Sequence, residues 1–251
     1  MGSRVICATP HKGRELNNYS LGDRLGKGAF AVVYKAMHLR TAEVAAIKQI
    51  PLEKLKSVDS IMSEIELLQE LQHPNIVKYL GFMKDDQYLS IVLEYCENGS
   101  LTTVLKKFGS FPENLISRYM RQVLEGLMYL HHQGTIHRDI KGANILTTKE
   151  GVAKLADFGV AMRMSDNAEP AERPGVVGTP HWMAPEIIQM QEPSSACDIW
   201  SLGATIVELR TGQPPYGNRT DIAAMYAIVQ QDSPAMIPAD CSNGLRDFLT
   251  L

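Results

Sequence analysis

The sequence predicts an α+β fold of two lobes, a small β-rich lobe followed by a larger, mainly helical lobe. Its 251 residues suit one large domain or two small lobes around a cleft. From Tyr19 to about Leu93, short runs rich in β-branched and aromatic residues dominate, whereas apolar stripes at helical spacing follow Glu94. The hydrophobic fraction of 45% and the charged fraction of 21% are typical of a globular chain.

Charge and cysteine content argue against several functional classes. The net charge of −3 provides no positive field to attract nucleic-acid phosphates, so we expect no nucleic-acid partner. The four cysteines lie far apart without a C-x-x-C pair, which favours a reducing cytoplasm over a disulfide framework or a zinc site. No apolar run approaches the roughly 20 residues of a membrane span, so we expect a cytoplasmic protein without a membrane partner.

The small lobe is predicted to contain five strands and one helix. Its β-prone runs are residues 19–26, 30–39, 43–50, 75–82 and 87–95. Between the third and fourth runs, residues 57–71 carry apolar side chains near helical spacing, and the sequence HPN ends that helix. Residues 1–18 lack periodicity and are predicted to form an N-terminal tail.

The large lobe is predicted to be built mainly of helices. Helical patterns cover residues 100–108, 112–132, 197–212 and a last segment that begins near 241. The second of these carries an apolar stripe of Leu115, Tyr119, Val123, Leu127 and Leu130. Residues 197–212 are apolar on most sides, which predicts a buried helix. We therefore place the small lobe at residues 19–93, a connector at 94–100 and the large lobe at 101–251.

A glycine-rich stretch, LGKGAFAVVYKA, opens the small lobe. Gly26 and Gly28 have the spacing of a phosphate-binding loop, but Ala31 stands where a third glycine is usual. A strand follows, whereas a dinucleotide-binding loop must open a helix, so that fold is excluded. On these residues alone, a plain hairpin turn and a hairpin that covers phosphates remain equally open.

Lys48 ends the apolar run VAAIK on a predicted strand. A solvent-exposed edge lysine is the commoner role for such a residue. A lysine that binds phosphates would need a carboxylate to hold it, and the next helix offers Glu64 on the same face as Leu68. Both interpretations stand at this point.

The segment HRDIKGAN, residues 137–144, carries the strongest chemical pattern. The Asp139 carboxylate can accept a hydroxyl proton, Lys141 can neutralise a phosphoryl group, and the Asn144 amide oxygen can bind Mg²⁺. Thirteen residues after Asn144, the sequence DFG supplies Asp157 as a second hard oxygen ligand, and APE ends at Glu186. The order and spacing of these three motifs are not expected by chance.

With these motifs, the chain resembles a eukaryotic protein kinase from about Tyr19 to its end. Lys141, two residues after Asp139, is typical of serine/threonine kinases. Longer phrases such as GDRLGKGAFAVVYKA, IMSEIELLQELQHPNIVKYLGF and VVGTPHWMAPE resemble the MAP kinase kinase kinase-like branch, including fungal septation-type and plant epsilon-type kinases. The resemblance implies a bilobal kinase fold, with a C-terminus that stops before the family's last helices.

The resemblance also implies ATP and Mg²⁺ as cofactors and assigns their contacts. Lys48 and Glu64 would pair to hold the ATP phosphates, Asn144 and Asp157 would bind Mg²⁺, and Asp139 and Lys141 would act on the transferred group. The remaining nucleotide contacts would be Leu25, Gly26, Lys27, Gly28, Ala29, Val33, Ala46, Leu93, Glu94, Cys96 and Leu146. Protein substrates, in particular a downstream kinase, are the implied partners.

Further implied roles concern regulation and the substrate pocket. Arg138 matches the arginine that receives an activating phosphate, and Thr179 matches the threonine that contacts Asp139 and Lys141. Ser165 and Thr179 are the only hydroxyl residues between Asp157 and Glu186, so we expect no activating phosphorylation near Gly175.

Three residues of the large lobe leave alternatives open. Asp198 matches the acid that anchors the catalytic-loop backbone, although a simple helix cap is the alternative. His131 and His132 could suggest a metal site, but a helix C-terminus that favours histidine explains them better.

Two classes of function follow from the whole pattern. An active ATP-dependent serine/threonine kinase is favoured by the retained residues Lys48, Glu64, Asp139, Asn144 and Asp157. The alternative is a pseudokinase or scaffold, since the family's further helices, which supply an arginine partner for the acid matching Glu186, are not found after the short C-terminal helix. Turnover of ATP separates the two.

Overall fold

The computed structural model describes residues 5–7, 17–28, 31–54, 65–163, 177–230, 237–238 and 240–250. The chain divides into two compact units, Met1–Glu97 and Asn98–Leu251. Strands dominate the first unit and helices the second, so the α+β class predicted from the sequence is confirmed.

The first unit is built on an antiparallel sheet of six strands. They are β1 (Val5–Cys7), β2 (Asn17–Lys27), β3 (Val32–His38), β4 (Val44–Pro51), β5 (Tyr79–Lys84) and β6 (Tyr88–Glu94). Their spatial order is β1-β2-β3-β4-β6-β5. A 3₁₀ turn, Leu52–Lys54, follows β4, and residues 65–70 form helix α1 with Ile65 and Leu68 buried. The earlier part of the helix predicted at residues 57–71 lies outside the described residues.

One face of this sheet carries a cluster of buried side chains, which consists of Tyr19, Ala36, Ala45, Ile47, Met83 and Val92. Because successive side chains of a strand point to opposite faces, Ala46 and Lys48 of β4 project away from the side of Ala45 and Ile47. The alternation within VAAIK thus separates the face of this cluster from the face that carries Lys48, where Ile50 and Ile91 are buried as well.

The tail prediction needs one correction. Val5–Cys7 lies within residues 1–18, yet it forms β1 and pairs with β2, with Val5 opposite Ser20 and Ile6 opposite Tyr19. Three residues are too short to display a periodic pattern, and pairing with an existing strand edge, rather than local sequence, makes them a strand.

The second unit contains short strands and six helices in its described part. The strands are β7 (Gly99–Ser100), β8 (Thr135–Ile136), β9 (Ile145–Thr147), β10 (Ala153–Leu155) and β11 (Met162–Arg163). The helices are α2 (Leu101–Phe108), α3 (Glu113–His132), α4 (Pro185–Ile188), α5 (Ala196–Thr211), α6 (Asp221–Gln230) and α7 (Asn243–Thr250). Gly142–Asn144 and Pro180–Trp182 form 3₁₀ turns. Within the described ranges, no helix is long and apolar enough to cross a membrane.

Helix α5 is the central element of the second unit. Its buried residues lie on all sides of the helix, which confirms the buried helix predicted there, and they include the polar side chains of Asp198, Ser201, Thr205 and Glu208. These buried polar groups need hydrogen-bond partners, because an unpartnered buried polar group costs folding free energy. They bond to the loops that carry the motifs.

Helix α3 buries a stripe that differs from the predicted one at its beginning. Ile116 and Met120 are buried, whereas Leu115 and Tyr119 are only partly buried. From Val123 onward the prediction holds. Helix α6 had no counterpart in the sequence prediction, because apolar residues lie on most of its surface and leave no clear stripe.

Candidate active site

The HRDIKGAN segment lies between β8 and β9. Its last residues form the 3₁₀ turn Gly142–Asn144, and the backbone N–H of Asn144 donates to the Lys141 carbonyl at 2.9 Å. Strands β9 and β10 pair directly after it, and the Ala156 N–H donates to the Asn144 carbonyl at 2.9 Å. This backbone bond brings the start of the DFG motif next to the end of HRDIKGAN.

Asp139 lies at the centre of a cluster of hydrogen bonds. The Thr179 hydroxyl donates to its Oδ1 at 2.6 Å, and the Lys141 ammonium donates to its Oδ2 at 2.7 Å. Lys141 Nζ also donates to Thr179 Oγ1 at 2.6 Å, which closes a triangle of side chains. The Asn144 amide donates to Oδ2 at 2.7 Å and to the Asp139 carbonyl at 2.9 Å. Four sequence-predicted residues are therefore brought together.

This cluster can accept a proton and can hold negative charge. The side chains of Asp139 and Lys141 are 13% and 20% exposed, so both can be reached from solvent. A hydroxyl that arrives at the Asp139 carboxylate can give its proton to it. The Lys141 ammonium is a compact, fixed positive charge that suits the oxygens of a phosphoryl group.

Asp198 anchors the backbone of the same loop. Its carboxylate is fully buried and accepts the His137 N–H at 2.9 Å and the Arg138 N–H at 2.8 Å. Ser195, not Asp198, occupies the N-cap position of α5, so the cap alternative is wrong and the anchoring role holds. The anchor keeps the loop in place although Arg138 has a φ of 65°, a backbone conformation that non-glycine residues rarely adopt.

His131 is a further hydrogen-bond partner of this carboxylate, a contact that the sequence did not predict. Its Nε2 lies 2.8 Å from Asp198 Oδ2, 67 residues away along the chain. The sequence interpretation placed His131 at the end of α3, and it lies there. Its partner, however, is the buried Asp198 carboxylate and not the helix dipole alone. Within the described ranges no cluster of three or more His, Cys, Asp or Glu could hold a metal ion.

Two ionisable groups beside the loop have shifted pKa values. Burial lowers the pKa of the Arg138 guanidinium, which donates from Nε to the Val160 carbonyl at 2.6 Å and so ties the loop to the segment after DFG. Burial, with the nearby Asp198 charge, raises the pKa of the Cys197 thiol to about 12. This thiol therefore stays protonated at neutral pH and cannot serve as a nucleophile.

Glu208 of α5 is a second buried carboxylate that the sequence did not reveal. Its Oε2 accepts the Gly142 N–H at 3.0 Å and the Trp182 Nε1–H at 3.2 Å, while its Oε1 accepts the Thr102 hydroxyl at 2.8 Å. It therefore joins α2, the turn at Gly142 and the turn at Trp182. A Cβ added to Gly142 would lie 2.7 Å from Thr102 Oγ1 and 3.0 Å from both Glu208 oxygens.

We expect Gly142→Ala to destabilise the protein by about 1–3 kcal/mol, because the added methyl group would displace the Thr102 hydroxyl and the Glu208 carboxylate. Turnover should fall with it, since the displaced turn contains Asn144. Thermal unfolding and ATP turnover measure the two effects. Gly203→Ala, where a Cβ would meet only Leu249 Cδ2 at an ordinary 3.7 Å, is the matched control. Equal melting temperatures for the two variants would contradict this account.

Asn144 and Asp157 provide the oxygen atoms that a hard divalent cation prefers. The Asn144 amide nitrogen is used as a donor to Asp139, which turns the amide oxygen toward other ligands. Asp157 is exposed and has a φ of 64°, an uncommon conformation for a non-glycine residue at a functional position. One carboxylate and one amide suit Mg²⁺, which normally completes its shell with water and phosphate oxygens.

In the first unit, the register of the sheet brings four predicted nucleotide ligands to one face. Val33 pairs with Lys48, and Ala46 pairs with Leu93. Paired residues of an antiparallel sheet project to the same side, and so do residues two apart on one strand. Gly26 pairs with Val33 in the same row. All four side chains therefore lie on the face opposite Ala45 and Ile47.

The other predicted ligands of this unit lie at strand ends. Leu25, Gly26 and Lys27 end β2, and the Gly28 N–H donates to the Ala31 carbonyl at 2.8 Å. Glu94 ends β6, and its N–H donates to the Lys78 carbonyl at 2.9 Å. A nucleotide bond from Glu94 must therefore use its carbonyl oxygen. Cys96 is buried just beyond it.

The remaining predicted residues divide between the second unit and the undescribed segments. Leu146 lies on β9 and is partly buried. Ala29, Glu64 and Ser165 lie outside the described residues, so the Lys48–Glu64 pair stays a prediction.

Comparison with known proteins gives a family match over most of the chain. Residues 19–250 match the protein kinase domain family. The chain is 54% identical over 248 residues to the cytokinesis protein sepH of Aspergillus niger, which covers 98% of this chain and 18% of that protein.

Similar relatives occur in plants and in a second fungus. The MAP3K epsilon protein kinase 1 of Arabidopsis thaliana is 53% identical over 99% of this chain and 18% of its own length. The cell division control protein 7 of Schizosaccharomyces pombe is 49% identical over 94% of this chain and 22% of its own length. The chain thus spans about a fifth of the length of these relatives.

Proposed function

The chain belongs to the protein kinase family, and from that premise we propose that it transfers the γ-phosphoryl group of ATP to serine and threonine hydroxyls of proteins. The kinase resemblance found in the sequence, including its MAP kinase kinase kinase-like branch, is confirmed by the relatives. The observation that carries the proposed chemistry is the closed triangle of Asp139, Lys141 and Thr179.

In the proposed reaction, Asp139 receives the proton of the acceptor hydroxyl at its carboxylate. Thr179 and Lys141 fix the orientation of that carboxylate, and Lys141 also balances the charge that develops on the phosphoryl oxygens. No covalent intermediate with the protein is needed, since the oxygen of the acceptor displaces ADP directly. The protein contributes position and fixed charge.

Mg²⁺ would be held by Asp157 and the amide oxygen of Asn144, and when bound it would neutralise phosphate charge. The chain's own residues prepare this site. Asn144 is oriented by its two hydrogen bonds to Asp139, and the Ala156–Asn144 backbone bond fixes the start of the Asp157 segment. Cation binding and proton acceptance are thereby linked through one side chain.

We propose Gly26, Gly28, Val33, Ala46, Lys48 and Leu93 as nucleotide ligands of the first unit. The support for this assignment is the common face of the sheet on which five of them lie, with Gly28 directly after β2. The absence of a side chain at Gly26 and the small methyl group of Ala46 leave room for a ligand, and Lys48 offers a positive charge to phosphates. The domain boundaries, with lobes at residues 19–93 and 101–251, belong to the same proposal.

We expect Lys48→Met to abolish more than about 99% of turnover, since the charge that orients the phosphates is lost. The fold should be retained, because methionine replaces the apolar stem of the lysine with an unbranched apolar chain of similar length. The measurement is incorporation of label from radiolabelled ATP, together with a melting temperature. Lys84→Met, at an exposed strand end, is the control. Turnover of the Lys48 variant similar to that control would refute the assignment.

The names of the relatives suggest a cellular setting. One relative is named a cytokinesis protein and another a MAP3K protein kinase. We propose that this domain acts on a downstream protein kinase in a cytokinesis or MAP kinase kinase kinase-like cascade in the cytoplasm. Phosphorylation of recombinant candidate kinases by the chain, with phosphoamino-acid analysis of the product, tests the substrate class. Label found only on tyrosine would overturn it.

The pseudokinase alternative is not favoured. Asp139, Asn144 and Lys141 form the hydrogen-bond cluster of a prepared site, which a pure scaffold would not require.

A further inference from the structure

His181 lies at the centre of the 3₁₀ turn Pro180–Trp182, two residues after Thr179. Its side chain is only 12% exposed, and its Nδ1 lies 2.8 Å from the carbonyl oxygen of Pro215. Its other ring nitrogen, Nε2, lies 3.4 Å from Oδ1 of Asp221, the first residue of α6. The residue therefore joins the turn to the segment between α5 and α6.

The Pro215 contact determines where the ring carries a proton. A carbonyl oxygen can only accept a hydrogen bond, so Nδ1 must be the protonated nitrogen whenever the ring is neutral. In free histidine the proton resides more often on Nε2. In the Nδ1–H tautomer Nε2 is an acceptor, as is the Asp221 carboxylate, so no hydrogen bond joins them; the Asp221 side chain is 70% exposed, and solvent screens its charge. The Nδ1–H bond to Pro215 is accordingly the main contact of His181.

Pro215, whose carbonyl accepts the bond from His181, lies in a strained turn. Tyr216, directly after Pro215, has a φ of 55°, yet its side chain is 3% exposed and its ring packs 5.1 Å from the Arg219 guanidinium. The turn is closed by the Gly217 N–H on the Pro214 carbonyl at 3.0 Å. A bulky residue stays in such a conformation only where its surroundings fix it. The Pro215 carbonyl is therefore presented to His181 in a fixed direction.

At its N-terminal end, the turn that contains His181 is joined to the catalytic cluster through Thr179. The Trp182 N–H donates to the Thr179 carbonyl at 3.0 Å, so Thr179 to Trp182 form one tight unit. The Thr179 hydroxyl touches Asp139. A polypeptide whose hydroxyl reaches Asp139 must therefore pass close to this unit. Any shift of the turn would change the surface that faces the polypeptide.

We propose that His181 is a positioning residue for the protein substrate, and that its Nδ1–H bond to Pro215 holds the Thr179–Trp182 turn where the acceptor chain binds. This rests on the proposed kinase function. His181 itself transfers no proton and touches no reacting atom. Its loss should weaken binding of the protein substrate and leave ATP binding unchanged.

The first test is spectroscopic and needs no enzymatic activity. In ¹⁵N-labelled protein, two-bond ¹⁵N–¹H correlation spectra above pH 8 distinguish the two neutral ring tautomers, with His181→Asn used to assign the signal. We expect the Nδ1–H tautomer for His181. A proton on Nε2 would overturn the proposal, whatever the protein phosphorylates.

The second test compares two variants that each keep one half of the ring. Asparagine places an N–H donor near the position of Nδ1, whereas glutamine places its amide near Nε2. We expect His181→Gln to raise the KM for a protein substrate about 3- to 10-fold, in line with the loss of one hydrogen bond. The KM for ATP and kcat should stay within about two-fold. His181→Asn should restore the substrate KM to within about two-fold of the native value.

The exposed His132 provides the control, since His132→Gln makes the same change on the surface of the same unit. Equal substrate KM values for His181→Gln and His181→Asn would overturn the proposal, as would a parallel rise in the KM for ATP. If His181→Gln fails to fold, the ring tautomer of His181 in the native protein still tests the proposal. Absence of all turnover, with the Nδ1–H tautomer present, would instead count against the proposed kinase function.

Discussion

Replacing Asp139 by asparagine is expected to lower kcat by about 10²- to 10⁴-fold, the usual contribution of a general base. The native carboxylate offers two acceptor oxygens, and three donors use them: the Thr179 hydroxyl, the Lys141 ammonium and the Asn144 amide. Asparagine has a single acceptor oxygen, and its amide group would face other donors. The variant can neither take the acceptor proton nor keep the triangle closed.

The measurement is incorporation of radiolabelled phosphate into a generic protein substrate, at saturating ATP, with melting temperatures for both proteins. Asp247→Asn on the exposed side of α7 makes the same chemical change away from the cluster and should leave turnover unchanged. Equal background incorporation by the native chain and by Asp139→Asn would favour the scaffold alternative. If Asp139→Asn strongly lowers the melting temperature, the test is made with Thr179→Val instead, which opens the triangle at its other corner.

The largest effect on stability is expected from Asp198→Ala, at about 3–5 kcal/mol. Its carboxylate is fully buried and accepts bonds from His137 N–H, Arg138 N–H and His131 Nε2. Alanine would leave two backbone N–H groups without a partner in the interior, at a cost of about 1–3 kcal/mol each. It would also release the strained φ of Arg138 and thereby displace Asp139.

Urea unfolding measures this loss, and a melting temperature lower by roughly 10 °C should accompany it. Asp198→Asn should cost less, because one carbonyl oxygen remains as an acceptor. The matched control is Glu125→Ala, which removes an exposed acid of α3. The Arg121–Glu125 pair at 3.2 Å should contribute less than about 1 kcal/mol. A change in unfolding free energy for Asp198→Ala as small as that for Glu125→Ala would contradict the anchoring role.

The residues of the catalytic cluster could be predicted because they lie close together in the chain. Asp139, Lys141 and Asn144 fall within six residues, and their spacing is itself the pattern. Asp157 was identified from the DFG motif thirteen residues after Asn144. Thr179 was identified only through family resemblance, since nothing local connects it to the loop. The helices α2 and α3 could also be predicted from neighbouring residues. For α2, Ser100 and Gly109 mark the two ends, and Gly109 has a φ of 83°.

The supporting contacts of the site could not be predicted. His131 meets Asp198 across 67 positions, Gly142 meets Glu208 across 66, and His181 meets Pro215 across 34. A buried acid on an apolar helix has many possible partners, and the partner depends on which loops pack there. Helix α6 was missed because its apolar residues form no single stripe, and strand β1 because three residues display no period.

The sequence by itself determined the family, the two-part architecture and the chemical groups of the site, because helical period, glycine position and motif spacing are properties of neighbouring residues. Only the tertiary structure decided how these groups are held. It turned two buried carboxylates of α5, Asp198 and Glu208, into anchors for the catalytic loop and its neighbouring turns. The physical reason is that a buried charge must find donors, and the donors come from segments that only the packed chain brings within 3 Å.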